Sequence, residues 1–385
     1  MKLRKEKWEK VKLGDLTETP SGGTPRRNHP EYFNGDIPWL KSGELSQGYV
    51  TCAEEYITEL GLKNSNARIF PVNTVLVAMY GVTAGLTGLL KFEAASNQAI
   101  CGVLPNKKYD SEFLFHFLFS KREYFLQRSV GTAQPNISKA VIREVEIPLP
   151  PLEEQKQIAS LFQSIETAIE QVDGQEKNLQ TLQKHLSNGL VSQEPVFGNL
   201  LNNKNCTPTT FGEIAECDKK YTEHVKEISR FVGLEFIEAD NFQLQGWGEI
   251  ANGTTFSKRF AKGDVLFGKR RAYLKKVAIA DFDGICSGDI LVIRAKAKKM
   301  LQSLLPFYIS AEAFIQHAVS TSAGSLSPRT KWKDLADLEL SVPDLKTQER
   351  VVEVFNQLQI TMNQLRQQKT TLKNLKQKLL SEILG

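Results

Sequence analysis

Two stretches of this chain carry the same heptad alternation of apolar residues, and that duplication constrains the fold more than any other feature. In the first, Ile158, Phe162, Ile165, Ile169, Val172, Leu179, Leu186 and Leu190 follow a 4-3 spacing. In the second, Val351, Phe355, Leu358, Met362, Leu365, Leu372, Leu379 and Ile383 occupy the same eight places after a shift of 193 residues. A 3.5-residue apolar repeat sustained over about five heptads marks a helix packed lengthwise on another. Two copies of one pattern predict that these helices pack on each other, the alternative being two core helices in separate domains. Even the interruptions correspond, Glu176 with Lys369 and Gln183 with Lys376. About 38 residues rising 1.5 Å each make rods of roughly 55–60 Å.

Each rod has a start signal. Pro150 and Pro151 precede Glu153 and Glu154, and Pro343 and Asp344 do the same work in the second copy, placing proline and negative charge at a helix N-terminus. The first rod is expected to end near Asn188-Gly189, with Pro195 forbidding continuation. Upstream, the 193-residue shift lays GTAQPNIS (131–138) on GSLSPRTK (324–331) and EIPLPPLEEQ (146–155) on ELSVPDLKTQ (339–348). Farther upstream, FPVNTVLVAM (70–79) resembles FAKGDVLFGK (260–269) at a shift of 190, and 211–214 resembles 13–16 at 198. Changing shifts mean one fold with differing loops. Short apolar runs (75–78, 290–293), glycine-rich turns and one helical segment per copy (111–128, 301–320) predict a mixed α/β (α+β) domain, twice.

The expected order is a globular domain over 1–150, a rod over 151–192, a linker over 193–205, a second domain over 206–342 and a second rod over 343–385. Rods packed side by side in this order run antiparallel and set the domains at opposite ends, with pseudo-twofold symmetry. Length agrees, since 385 residues exceed what one core usually covers. No run of 18 apolar residues predicts a transmembrane helix. The basic start MKLRKEKWEKVKLGDL is not followed by an apolar segment, so it does not read as a secretory signal. Five dispersed cysteines without a CxxC pair suit a reducing cytoplasm and give no zinc spacing. No metal site is expected.

The net charge of +5 permits a polyanionic partner, and its distribution matters more. Residues 257–276 hold Lys258, Arg259, Lys262, Lys269, Arg270, Arg271, Lys275 and Lys276 against one acid, Asp264, with Phe260, Phe267 and Tyr273 interleaved. Such a stretch suits phosphate and base contact or a solvated strand edge. Arg329 and Lys331 in the second polar loop favour nucleic acid. SGGTPRR (21–27) reads as a flexible basic loop of the same character. GTAQPNIS reads as a surface connection or as a loop aimed at a ligand. A second such loop ahead of the second rod favours the ligand.

Catalytic signatures are absent from the sequence. There is no GxxxxGK[ST] loop, and GVTAGLTG (81–88) fits neither that spacing nor GxGxxG. There is no HExxH and no Asn/Asp-Pro-Pro-aromatic tetrapeptide of an adenine amino-methyltransferase. Pro343-Asp344-Leu345-Lys346 looks like half of a nuclease motif. Its counterpart Pro150-Pro151-Leu152-Glu153 could not bind metal that way, and a helix start explains both.

GTAQPNIS with EIPLPPLEEQKQIASLF, then GSLSPRTKWKDL with ELSVPDLKTQERVVEVF, resembles the specificity subunit of type I restriction-modification systems. RAYLKKVAIADFDGICSGDILVIRAK (271–296) is similar to a target-recognition segment of that family. The resemblance implies a non-catalytic, cytoplasmic chain. Its two target recognition domains would each bind half of a split, asymmetric double-stranded DNA site, with the paired helices as a ruler. It implies docking of two modification subunits that use S-adenosylmethionine to methylate adenine at N6. It also implies motor-nuclease subunits that use ATP and Mg, and no cofactor on this chain. One departure is Lys139-Ala140, where the second copy has Trp332-Lys333 and family members often show an aromatic. An orphan DNA-binding scaffold or inhibitor of the same fold is the competing reading.

Within this reading the DNA-contacting candidates of the first domain are Ser21, Thr24, Arg26, Arg27, Lys41, Ser42, Tyr80, Asn97, Gln98, Thr132, Gln134 and Asn136. Those of the second are Lys258, Arg259, Lys269, Arg270, Arg271, Tyr273, Ser287, Asp289, Ser325, Ser327, Arg329 and Lys331.

Overall fold

The heptad runs form two helices of 40 residues each, Leu152–Val191 and Leu345–Leu384. The computed structural model that contains them describes residues 5–131, 135–191, 201, 205–218 and 228–385. It divides into two units, Met1–Gln171 with Gln368–Gly385, and Val172–Gln367. Each unit therefore takes part of both long helices. Most of the predicted linker 193–205 lies outside the described residues.

In the first unit, Ile158 and Phe162 near the start of the first helix share a core with Leu380 and Leu384 at the end of the second. In the second unit, Leu186 and Leu190 share a core with Val351 and Phe355. The start of one helix meets the end of the other in both cases, so the pairing is antiparallel. Of the predicted packing positions, Ile158, Phe162, Ile165, Val172, Leu186, Val351, Phe355, Met362 and Leu365 are buried. Ile169, Leu179, Leu358, Leu372 and Leu379 are half-buried. The first helix runs two residues past Gly189 to Val191, with Leu190 buried in the core. Asp344 caps the second helix, accepting from the Thr347 backbone N–H at 2.8 Å.

The globular parts are two versions of one design. In the first unit, one sheet orders Glu55–Ile57, Phe33–Leu40, Ala94–Ser96 and Ile69–Phe70, and another orders Tyr49–Val50, Thr87–Leu90, Val75–Ala78 and Ile100–Val103. In the second, one sheet orders Gly248–Glu249, Arg230–Val232, Gly284–Cys286 and Lys258–Phe260, and the other contains Val277–Ile279, Val265–Gly268 and Ile290–Ala295. Ala94–Ser96, Val75–Ala78 and Ile100–Val103 map onto their counterparts at the 190-residue shift. The parallel pair inside each first-named sheet is also kept, Trp39 opposite Ala95 and Phe231 opposite Ile285. A separate two-stranded ribbon closes each domain, Glu9–Lys12 with Glu146–Leu149 and Cys206–Thr210 with Glu339–Pro343.

Each predicted single helix is two. Ser111–Ser120 is followed by Arg122–Gln127, and Leu305–Ser310 by Glu312–Ser320. The second segment breaks at Ala311, whose extended backbone (φ −63°, ψ 143°) ends one helix and starts the next.

A buried glutamine ties each long helix to its domain. The Gln155 side-chain carbonyl accepts from the Asp110 backbone N–H at 2.8 Å, and its amide donates to the Pro150 carbonyl at 2.8 Å. Gln348 accepts from the Leu301 N–H at 2.8 Å and donates to the carbonyls of Lys299 and Pro343. These residues are 1% and 0% exposed. Gln348→Leu leaves a buried N–H and carbonyls without their partner, so unfolding in urea should show a loss of about 1–3 kcal/mol per orphaned group. An unchanged midpoint would mean the glutamine is not needed at this joint.

Candidate nucleic-acid interface

In the second domain the strand Val265–Gly268 leads into a tight turn that aims three basic residues. Lys269 donates its backbone N–H to the Asp289 carbonyl at 3.0 Å. Arg271 (φ 53°) and Lys275 (φ 51°) bracket the short turn Ala272–Leu274 in the left-handed region, which side-chain-bearing residues rarely occupy. The second polar loop folds back on this turn. Ala323 and Arg329 exchange both backbone hydrogen bonds, Arg271 N–H donates to the Pro328 carbonyl at 2.8 Å, and Thr330 N–H to the Lys269 carbonyl at 3.1 Å. Gly324 (φ 111°) supplies the conformation that opens the loop.

The loop and the turn bring five further candidates, Arg270, Arg271, Ser287, Ser327 and Arg329, into one cluster with Asp289. Arg329 donates from Nε to Oδ1 at 2.7 Å and from Nη2 to Oδ2 at 3.2 Å. The Arg270 guanidinium lies 3.6 Å from the same carboxylate and donates from Nε to the Ser327 hydroxyl at 2.5 Å. Ser287 Oγ accepts from the Asp289 backbone N–H at 3.2 Å, and Arg271 reaches the Leu326 carbonyl at 3.4 Å. The hydrogen bond from Arg329 holds the Asp289 carboxyl below the usual carboxylate range, so the pair persists through neutral pH and is lost only as pH falls through that lowered value. The carboxylate occupies Nε and one Nη2 proton and the Ser327 carbonyl takes one from Nη1 at 3.4 Å, which leaves one proton on each terminal nitrogen of Arg329 for a planar acceptor pair.

Other candidates of this domain separate from the cluster. Lys258 is drawn inward, donating to Asp218 and to the Ile290 carbonyl, both at 2.8 Å. Arg259, Ser325 and Lys331 are exposed, as is Tyr273. Of the remaining basic run, Lys275 pairs with Glu312 at 2.6 Å and Lys276 donates to the Leu234 carbonyl at 2.6 Å. The run is therefore partly structural.

The first domain builds the same loop from other side chains. Val130 and Asn136 exchange both backbone bonds, Gly81 N–H donates to the Pro135 carbonyl at 2.9 Å, and Ile137 N–H to the Met79 carbonyl at 2.8 Å. Asn136 thus stands beside Tyr80 where Arg329 stands beside Arg270. Asn97 takes the place of Ser287, accepting from the Ala99 N–H at 3.1 Å as Ser287 accepts from Asp289. Thr83 donates to Ser42 Oγ at 3.0 Å and so joins that residue to the loop. Thr24 hydrogen-bonds Gln98. Arg27 and Lys41 both pair with Glu55, at 2.9 and 2.8 Å, and Arg27 also lies over Phe33 and Trp39. Arg26 is exposed. Thr132 and Gln134 lie outside the described residues.

The segment 21–27 differs from the flexible loop expected. Ser21 bridges to Cys101, and the N–H groups of Gly22 and Gly23 donate to Ile100 and Ser96 carbonyls. A Cβ on Gly22 would lie 2.3 Å from the Ser96 carbonyl oxygen. These glycines serve close approach of backbone to sheet. Two residues escaped sequence reasoning altogether, Val82 at 95% and Leu326 at 89% exposure. Both stand in the loops just described, and an apolar residue isolated between turn-forming neighbours is the signal that could have found them.

The family described as type I restriction modification DNA specificity domain matches residues 5–180 and again 203–374. The MjaVIII specificity subunit of Methanocaldococcus jannaschii is 24% identical over 410 residues, covering 98% of this chain and 92% of that protein. The MjaIX specificity subunit of the same organism is 31% identical over 194 residues, 49% of this chain and 45% of that protein, so that match spans about half of each. The crystal structure of the S subunit from M. genitalium has the same fold, with a TM-score of 0.58, 15% identity, and coverage of 99% and 97%. Among the described residues no helix is long and apolar enough to cross a membrane.

Proposed function

The chain belongs to the type I restriction-modification DNA specificity family, and from that premise we propose that it selects the DNA sequence on which a type I complex acts. It performs no chemistry itself. Each domain reads one half of a split double-stranded site, and the paired helices set the unread spacer. Modification subunits dock on the chain and methylate adenine with S-adenosylmethionine. Motor-nuclease subunits, where they join, supply ATP- and Mg-dependent cleavage. The orphan-scaffold reading is not favoured, since relatives that align along nearly the whole chain are themselves restriction-enzyme specificity subunits.

One observation carries the reading. The same backbone frame occurs twice, Tyr80 beside Asn136 and Arg270 beside Arg329, with different side chains mounted on it. A frame kept while its chemistry changes is what an asymmetric bipartite site requires. Arginine pairs with the O6 and N7 acceptors of guanine, and asparagine with the N6 and N7 edge of adenine. The exposed lysines and arginines around them contact phosphate, each expected to contribute about one unit of salt slope.

The test is methylation mapping in cells that express this chain with its methyltransferase. Methylated adenines should fall in a two-part motif with a fixed gap. Adding one heptad to both long helices lengthens each by about 10.5 Å and should widen that gap by roughly three base pairs. A gap that does not move, or methylation without a bipartite motif, would overturn the proposal.

A further inference from the structure

The apolar seams of the two long helices are copies of each other, so hydrophobic packing alone would let either helix pair with a second copy of itself. Three polar contacts say otherwise. Within the second unit, Gln183 hydrogen-bonds Gln359, and Glu176 pairs with Arg366 at 2.6 Å. Within the first unit, Glu166 pairs with Lys376 at 2.5 Å. All three share one antiparallel register: the steps from Gln183 back to Glu176 and Glu166 equal those from Gln359 forward to Arg366 and Lys376. The 193-residue shift turns one contact into another, for it carries Glu166 onto Gln359 and Gln183 onto Lys376. The register is therefore the one that like helices would adopt if they paired.

In that register two first helices set Asp173 against Glu176, twice by symmetry, and Glu166 against the neutral Gln183. Two second helices set Arg366 against Lys369, again twice, and Lys376 against Gln359. Unlike pairing instead joins Glu176 to Arg366 and Glu166 to Lys376. These four side chains are only 15–26% exposed, so their charges are less screened than those of a surface pair.

We propose that the paired faces carry a charge code that admits only unlike pairing, so the partner each helix accepts, within one chain or between two, is the other helix and never a second copy of itself. Repulsion at the mismatched positions supplies discrimination that the eight matched heptad positions do not, and Ser187, where the second copy has the buried Leu380, adds a mismatch of its own. The inference stands independently of how the domains read DNA.

The test uses the full chain with a protease site placed in the linker 193–205 and cleaved after folding. The cut chain is mixed with an isotopically heavy copy, allowed to exchange in mild urea at low salt, and weighed by native mass spectrometry. Pairs of one first-half and one second-half fragment should exceed like pairs about tenfold or more beyond the statistical share. Two variants keep unlike pairing complementary while making like pairing complementary too: Glu176→Arg with Arg366→Glu, and Glu176→Lys with Arg366→Asp. In each, the excess of unlike pairs should fall by about tenfold. Like pairs at the statistical share in the unmodified chain, or an unchanged excess in whichever variant folds as the uncut chain, would overturn the code. Should both variants fail to fold uncut, the comparison of the unmodified chain at low and high salt replaces them. An excess insensitive to salt then overturns the code equally.

Discussion

Arg329→Ala is expected to relax discrimination at one base pair of the half-site read by the second domain by roughly five- to 150-fold. The guanidinium is held along its Nε–Nη2 edge by Asp289 and at Nη1 by the Ser327 carbonyl, so its remaining donors point one way before DNA arrives. Removing it should also weaken binding to every sequence somewhat, because a cation is lost. Asp289→Ala separates the two effects. It deletes a charge that DNA repels, so non-specific binding should tighten and its salt dependence steepen, while discrimination at the same base pair falls because Arg329 is no longer aimed. Competition binding with single-base variants of the mapped site measures both. If Arg329→Ala leaves the ratio of cognate to variant affinity unchanged, Arg329 does not read a base.

Phe355→Ala should be the most destabilising change among the positions described. The ring is fully buried and stacks on Phe307 with centroids 3.7 Å apart and planes at 17°. It thereby fastens the second helix to its domain. Truncating a buried phenylalanine costs about 3–5 kcal/mol, depending on how far the cavity collapses. Because the chain has two units, the loss should appear as an early transition in urea followed by circular dichroism, rather than a shift of the whole curve. A single unshifted transition would show that Phe355 is not a fastening point.

The long helices and their pairing were legible because a 3.5-residue period is a local signal repeated many times. The strand core was legible by comparison of the chain with itself, since Val75–Ala78 and Val265–Gly268 keep both pattern and shift. The break between Ser111–Ser120 and Arg122–Gln127 was not, because Phe113 through Leu118 are all buried and an all-round apolar helix shows no face. Charge counting missed the partner of Lys258 in the same way. It registers a cation but not Asp218, which lies 40 residues away in sequence and 2.8 Å away in space. Gln155 and Gln348 were visible as an identity between copies, but nothing local says that a glutamine will be buried between two backbone groups. The polar loops lie between these cases: their existence and position were readable, whereas the neighbours that Asn136 and Arg329 acquire depend on a turn more than 50 residues earlier.

The division into units has a bearing on the order in which the protein can be completed. The first unit contains the last residues of the chain, and Leu380, Ile383 and Leu384 belong to the same core as Ile158 and Phe162. During synthesis the first domain can close its ribbon once residue 149 emerges, yet part of its core has not been made. That core waits until residue 384 has been made, through the whole of the second domain. A stop before residue 380 is therefore a lesion of the first unit: a domain made early is sealed by residues made only after the second domain.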